Sequence, residues 1–289
     1  MSEAENKRKL GKPPWLKVKA SYDQRYREVN ALLKSHNLHT VCQEANCPNR
    51  GECFSSGTAT FLIMGPNCTR NCRFCNVTHG RIAPLDVNEP ERVAETVRLL
   101  KLNHAVITSV TRDDLPDGGA SHFAAVIHEI RKAMPDTTVE VLVPDFRGKP
   151  ESARIVFAAR PDVFNHNVET VPRLYKKVRP QADYNRSLNL LRQAADYGKM
   201  AVKSGLMAGL GETIEEFEEV FRDLKKSGVS FLTIGQYLAP SENHYQIVKY
   251  YSPEEFDQLS VLAQNEGIEH VFSAPLVRSS YHAGEKYRE

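Results

Sequence analysis

The six cysteines of this chain fall into two triplets, all between residues 42 and 75. The later one lies in Asn67-Cys68-Thr69-Arg70-Asn71-Cys72-Arg73-Phe74-Cys75-Asn76, directly after the apolar run Phe61-Leu62-Ile63-Met64, so three thiols share one tight loop at a strand end. Thiolate sulfur is soft and suits iron, and three such ligands fit a cubane cluster with one iron left open to an outside chelator. The same spacing admits a redox CxxC pair, a zinc site lacking its fourth ligand, or incidental thiols. The earlier triplet is Cys42-x4-Cys47-x5-Cys53, where Pro48 and Gly51 interrupt regular structure and let a short ligand loop turn toward a common centre. Its residues alone suit an iron–sulfur cluster or zinc with a distant fourth group.

Further polar groups gather where strands are expected to end. Thr111-Arg112-Asp113-Asp114 follows one apolar run and Asn165-His166-Asn167-Val168-Glu169-Thr170 another. Both suit ligand contacts at one rim, although the Arg112 to Asp114 stretch also reads as a solvated turn and His166 as a histidine satisfying buried backbone. Lys203 opens a segment running to Glu212 whose glycines either bring backbone close to a ligand or cap strand and turn. Gln236 closes a later strand. In Arg278-Ser279-Ser280-Tyr281, serine is a poor generic iron ligand, and its chemistry alone assigns it to a turn or hydrogen bonding. There is no Walker motif and no complete dinucleotide fingerprint, so nucleotide hydrolysis and hydride transfer have no support.

These residues need a scaffold, and from residue 59 onward apolar strand candidates alternate with amphipathic helices. The strands read as Ala59–Met64, Ala105–Val110, Val139–Val143, Asp162–Asn165, Met200–Leu206 and Val229–Gly235. Between them, Asn88 with Glu91, Thr213 with Glu216, and Ser252-Pro253-Glu254-Glu255 mark helix starts, and Gly198, Gly228 and Gly267 mark ends. Upstream, Tyr22, Tyr26, Val29 and Leu33 recur at helical spacing, and Lys12-Pro13-Pro14-Trp15-Leu16 offers a stiff segment with an aromatic anchor, for packing or for a partner. Six alternating units predict an α/β fold with a parallel sheet, either a partial barrel or a doubly wound sheet.

Composition narrows the function class. The 289 residues suffice for one α/β domain with extensions. The net charge of +2 creates no strong field for nucleic acid or membrane. The clustered cysteines argue for ligands over a disulfide framework, and the N-terminus has no apolar signal core, so a cytoplasmic, reducing setting is expected.

The Cys68-x3-Cys72-x2-Cys75 spacing resembles the signature of the radical S-adenosylmethionine (SAM) superfamily. With Cys42-x4-Cys47-x5-Cys53 and the late Arg278-Ser279-Ser280-Tyr281, the resemblance narrows to the lipoyl synthase family and runs across nearly the whole chain. It implies a partial (β/α)6 TIM-type barrel over residues 58–240, an N-terminal extension over 1–57 with auxiliary cluster ligands, and a C-terminal helix and extension over 241–289. Two 4Fe–4S clusters and SAM are implied. Cys68, Cys72 and Cys75 would hold the cluster that reduces SAM; Cys42, Cys47 and Cys53, completed by Ser279, would hold an auxiliary cluster that donates sulfur. Thr111, Arg112, Asp113, Asn167, Glu169, Lys203 and Gln236 are the implied SAM contacts. The implied reaction inserts two sulfur atoms, at C6 and C8, into a protein-bound N6-octanoyl-lysine. Its implied partners are octanoylated lipoyl carrier domains or H protein, a flavodoxin- or ferredoxin-type electron donor and an iron–sulfur carrier for regeneration. Lys12, Lys17, Lys19 and Arg25 form a basic approach for an acidic carrier. The alternatives are another radical SAM sulfur-insertion enzyme or a non-enzymatic iron–sulfur carrier.

Overall fold

The structure is a computed structural model that describes residues 11–18, 22–281 and 283–286; Lys19 lies outside the described residues. Its centre is one sheet in the order β1-β2-β3-β4-β5-β6-β7-β8. The strands are β1 (His39–Thr40), β2 (Thr60–Ile63), β3 (His104–Ser109), β4 (Thr138–Leu142), β5 (Val163–Asn165), β6 (Ala201–Ala208), β7 (Phe231–Gln236) and β8 (His270–Ala274). From β2 to β8 every pairing is parallel, while β1 runs antiparallel to β2. Each of β1 and β8 has a single partner strand, so the barrel is partial.

The six expected strands are β2 to β7. Their apolar runs are buried, as in β2 and β5, because crossover helices cover the outside of a parallel sheet. Two strands escaped the sequence reading. β1 has only two residues, and β8 carries His270 and Ser273 and is nowhere fully buried, so neither shows an apolar run.

The helices follow their caps. α1 (Gln24–Ser35) precedes the first cysteine as expected, capped by Asp23. The segment from Cys42 to Cys53 is a correction: α2 (Val41–Glu44) carries Cys42 and α3 (Arg50–Ser55) carries Cys53, with Cys47 on the turn between. Thr40 starts α2 by accepting from the Gln43 amide, a local cap that overrides the turn signals. α4 (Glu89–Leu100) begins where expected, but Asn88 makes no side-chain cap; its own amide donates to Asp86. The outer layer continues with α5 (Ala120–Ala133), α6 (Pro150–Ala158), α7 (Tyr175–Val178) and α8 (Tyr184–Tyr197). α9 (Ile214–Lys226) and α10 (Pro253–Asn265) both start with the full capping box that the sequence announces. No helix among the described residues is long and apolar enough to cross a membrane.

Two extensions close on the barrel. Leu16 is buried and the indole of Trp15 donates to the carbonyl of Tyr251 at 3.1 Å, so this stiff segment packs on the body of the fold. The C-terminal segment after β8 turns back and is stitched to the first cysteine segment and to β2. Asn49 donates to the Leu276 carbonyl at 2.7 Å, the Thr60 hydroxyl to Ser280 at 2.8 Å, and the Tyr281 hydroxyl to Glu52 at 2.8 Å. Gly235 on β7 permits the approach: a β-carbon there would lie 2.0 Å from the Val277 carbonyl oxygen.

Candidate active site

A cavity of about 1120 Å³ opens inside the barrel, and all six cysteines and Ser279 line it. The later cysteine loop leaves β2 through Met64 and Gly65, both at positive φ, and is then held from several sides. Thr69 donates its amide to the Thr111 carbonyl at 3.0 Å, and Arg73 donates to Val178 at 2.8 Å. From above, Tyr245 donates to the Arg73 carbonyl at 2.8 Å and His244 meets the Cys75 carbonyl at 3.2 Å. The Cys68 sulfur accepts amide hydrogens from Arg70 at 3.4 Å and Thr111 at 3.3 Å, which fix its position on the loop.

Burial disfavours charge on several of the other thiols. It pushes Cys42 up to about 11 and Cys53 up to about 12, with neighbouring thiols adding to the rise. Cys72 rises to about 11, burial outweighing the nearby Arg179 cation, and Cys75 rises to about 12. All six are free cysteines. Among the described residues no three His, Cys, Asp or Glu side chains converge on one ion-sized point.

The expected ligand residues divide between the cavity and the wall behind it. Thr111, Asn167, Glu169 and Gln236 line the cavity. Arg112, Asp113 and Lys203 do not, and each is engaged elsewhere. Arg112 is buried, forks onto Asp114 and reaches the Met64 carbonyl. Asp113 takes both arms of Arg70, at 2.7 and 2.9 Å, and Arg70 continues to buried Asp145 at 2.6 Å. The Asp-rich turn is therefore a clamp on the cysteine loop: opposite charges meet in the interior, where desolvated groups need each other. Lys203 lies lower in the barrel and donates to Glu140 at 2.8 Å. Gln236 reaches the cavity, yet its amide nitrogen donates to the carbonyls of Ala208, Tyr237 and Lys249 and its oxygen accepts from the Tyr251 amide. It pins the Lys249–Tyr251 backbone to the end of β7. His166 also lines the cavity, buried between the Val143 carbonyl and Ser187, and burial lowers it to about 4.

Arg179 escaped the sequence reading because Lys176-Lys177-Val178-Arg179 resembles a solvated basic run. It lines the cavity buried, donates to the carbonyls of Asn167 and Val168, and keeps a buried Nε without a partner. Arg70 also went unread, although it sits inside the cysteine motif.

Comparison with known proteins decides what this arrangement belongs to. A model described as the radical SAM superfamily matches residues 62–224, and one described as the N-terminal domain of lipoyl synthase matches residues 2–47. A lipoyl synthase of Caldanaerobacter subterraneus is 58% identical over 273 residues, 94% of this chain and 95% of that protein. The chain belongs to the lipoyl synthase family. A lipoyl synthase of Methylococcus capsulatus is 55% identical, with 96% of this chain and 87% of that protein covered. The chain is thus an enzyme, a radical SAM sulfurtransferase that forms lipoyl groups by sulfur insertion, and it uses SAM and 4Fe–4S chemistry. Solved structures agree on the fold: methylornithine synthase (PylB) has a TM-score of 0.55 at 14% identity, covering 90% of this chain and 85% of that one. SuiB of Streptococcus suis bound to S-adenosylmethionine has a TM-score of 0.55 at 12% identity, covering 83% of this chain and 51% of that one.

The donor sets fit the clusters that the family implies. Each triplet offers three soft sulfur ligands on the wall of one open cavity, with Ser279 on the same wall for the earlier triplet and no further protein ligand assigned to the later one, whose fourth iron would stay open to an outside chelator. Asn167 Oδ1 and Arg179 Nε are buried beside that space without partners. A β-carbon on Gly205 would lie 2.6 Å from Asn167 Oδ1, so glycine keeps this wall clear.

Proposed function

We propose that this lipoyl synthase works with two 4Fe–4S clusters, held by Cys68, Cys72 and Cys75 and by Cys42, Cys47, Cys53 and Ser279, and inserts two sulfurs at C6 and C8 of a protein-bound octanoyl-lysine. The observation that carries this reading is that all six cysteines and Ser279 line one cavity, while hydrogen bonds stitch the Ser279 segment to the Cys42–Cys53 segment. When bound, a cluster at Cys68, Cys72 and Cys75 would supply the electron for SAM cleavage, and one at Cys42, Cys47, Cys53 and Ser279 would supply sulfur.

The chain's own residues do the positioning. The Arg70, Asp113 and Asp145 network and the Thr111 amide hold the reducing loop rigid, as a site presented to a radical reaction requires. Asn167, Glu169 and Arg179 offer SAM hydrogen-bond acceptors and a cation from one wall, and Gln236 holds the Lys249–Tyr251 backbone beside it. The barrel walls keep stray hydrogen donors away from a radical and hold the substrate carbon in place. Residues 1–57, 58–240 and 241–289 divide the labour as auxiliary ligands, barrel and serine-bearing extension, although β1 and β8 of the common sheet come from the outer two. The partners in this reading are octanoylated lipoyl domains or H protein, a flavodoxin- or ferredoxin-type reductant and an iron–sulfur carrier, in a cytoplasmic setting.

Anaerobic turnover on an octanoyl-lysyl peptide tests it. The expected outcome is a doubly sulfur-inserted product and 5'-deoxyadenosine; iron and sulfide should fall by about half when either cysteine triplet is replaced by alanine. A single methylthio group, or full iron retention in either variant, would sink the reading.

A further inference from the structure

Asn167 stands just past the end of β5, at the boundary between the two cysteine groups. Its Nδ2 donates to the Ser279 hydroxyl at 2.7 Å and to Glu169 Oε1 at 3.2 Å. The Glu169 carboxylate can only accept, which places the amide nitrogen on that side. Oδ1 faces Gly205, where only the absence of a side chain leaves room, and it has no hydrogen-bond partner. The backbone is equally held: Arg179 donates to the Asn167 carbonyl at 2.9 Å. Thus a buried amide donor, immobilised from three directions, is aimed at a serine 112 positions later in the chain.

Resting on the reading of Ser279 as the fourth auxiliary ligand, we propose that Asn167 is the positioning residue for that ligand. Its amide N–H orients the Ser279 oxygen toward the Cys42, Cys47 and Cys53 group and stabilises negative charge on that oxygen when it binds iron.

The physical need is specific to serine. An alkoxide is a far stronger base than a thiolate, so a serine ligand gains most from a fixed donor in a site that water does not crowd. Ligation releases the hydroxyl proton to solvent through the open cavity, and the amide N–H then faces the charge left behind. A carboxylate in place of the amide would offer only acceptors and would repel Glu169 and the ligating Ser279 alkoxide. Hydrogen-bond partners of this kind are worth about 10–100-fold in metal affinity. Because the same amide also meets Glu169, it ties the serine's aim to the wall that Glu169 and Arg179 share.

The test uses full-length protein with Cys68, Cys72 and Cys75 changed to alanine, so that iron is held only at the earlier triplet. Release of that iron to a chelator is followed after reconstitution. Ser279→Ala is expected to speed release, and Asn167→Ala and the shape-preserving Asn167→Leu to speed it about 10–100-fold. In a Ser279→Ala background the Asn167 changes should add less than about threefold, since their target is gone. Release at the parent rate in both Asn167 variants overturns the proposal. So does an undiminished effect in the Ser279→Ala background. If Ser279→Ala itself leaves release unchanged, the ligand reading of Ser279 falls and this inference falls with it.

Discussion

At Asp113 the carboxylate that motif resemblance assigns to SAM binds both arms of Arg70, and Arg70 in turn reaches Asp145. Asp145 is held below the usual carboxylate range: burial raises it, but Arg70 more than offsets that. The residue-scale prediction is that Asp113→Ala acts through Arg70. It should cost about 1–3 kcal/mol, less than a fully broken buried pair because Asp145 remains. Chemical unfolding checks it, and Arg70→Ala with Asp113→Ala together should be no worse than Arg70→Ala alone; additive losses would return Asp113 to an independent role. Identity was legible at this scale, since cysteine, arginine and aspartate announce their chemistry. Direction was not. A sequence does not say whether Asp113 faces inward or back onto its neighbour.

Among the elements, Glu140 of β4 joins three other strands, accepting from Lys203 of β6 at 2.8 Å, from Asn165 of β5 at 3.1 Å and from His104 of β3 at 3.3 Å. Burial alone would raise its carboxyl, but Lys203 and His104 outweigh that and lower it from 4.5 to about 2. With the folded value depressed, its contribution is fully present above the unfolded value and is lost as pH falls from 4.5 toward about 2. We predict a loss of about 3 kcal/mol across that window, absent in Glu140→Gln, by unfolding measurements at successive pH. Gly235 makes the second element-scale case. Gly235→Ala places a methyl group 2.0 Å from the Val277 carbonyl oxygen and should push the serine-bearing segment off β7. An overpacking cost of about 1–3 kcal/mol is expected. Iron at the earlier triplet should drop while the Cys68 loop keeps its own. Equal loss from both sites would refute the local account.

Across the whole molecule, the two cysteine groups share one cavity but depend on different parts of the chain. The Cys68 loop is clamped by elements of the barrel interior, and the Cys42 to Cys53 segment by the returning C-terminus. The separation predicts that Ser279→Ala keeps reductive SAM cleavage, measured as 5'-deoxyadenosine, and loses more than about tenfold in doubly sulfur-inserted product. Parallel loss of both would mean that the two groups are not separable.

Local chemistry was enough for much of this. Thiol spacing named the superfamily, the second triplet with Arg278-Ser279-Ser280-Tyr281 named the family, and capping boxes at Thr213 and Ser252 set two helix starts, because each signal lies within a few residues of its effect. The apolar runs likewise announced six strands. Tertiary structure alone decided what distant residues do to one another: that Asp113 faces Arg70, that Arg179 of a basic run enters the cavity, that β1 and β8 extend the sheet, and that Asn167 meets Ser279. The reason is geometric. A side chain's type is written at its own position, while its partner is set by how the sheet curls and where the C-terminus returns.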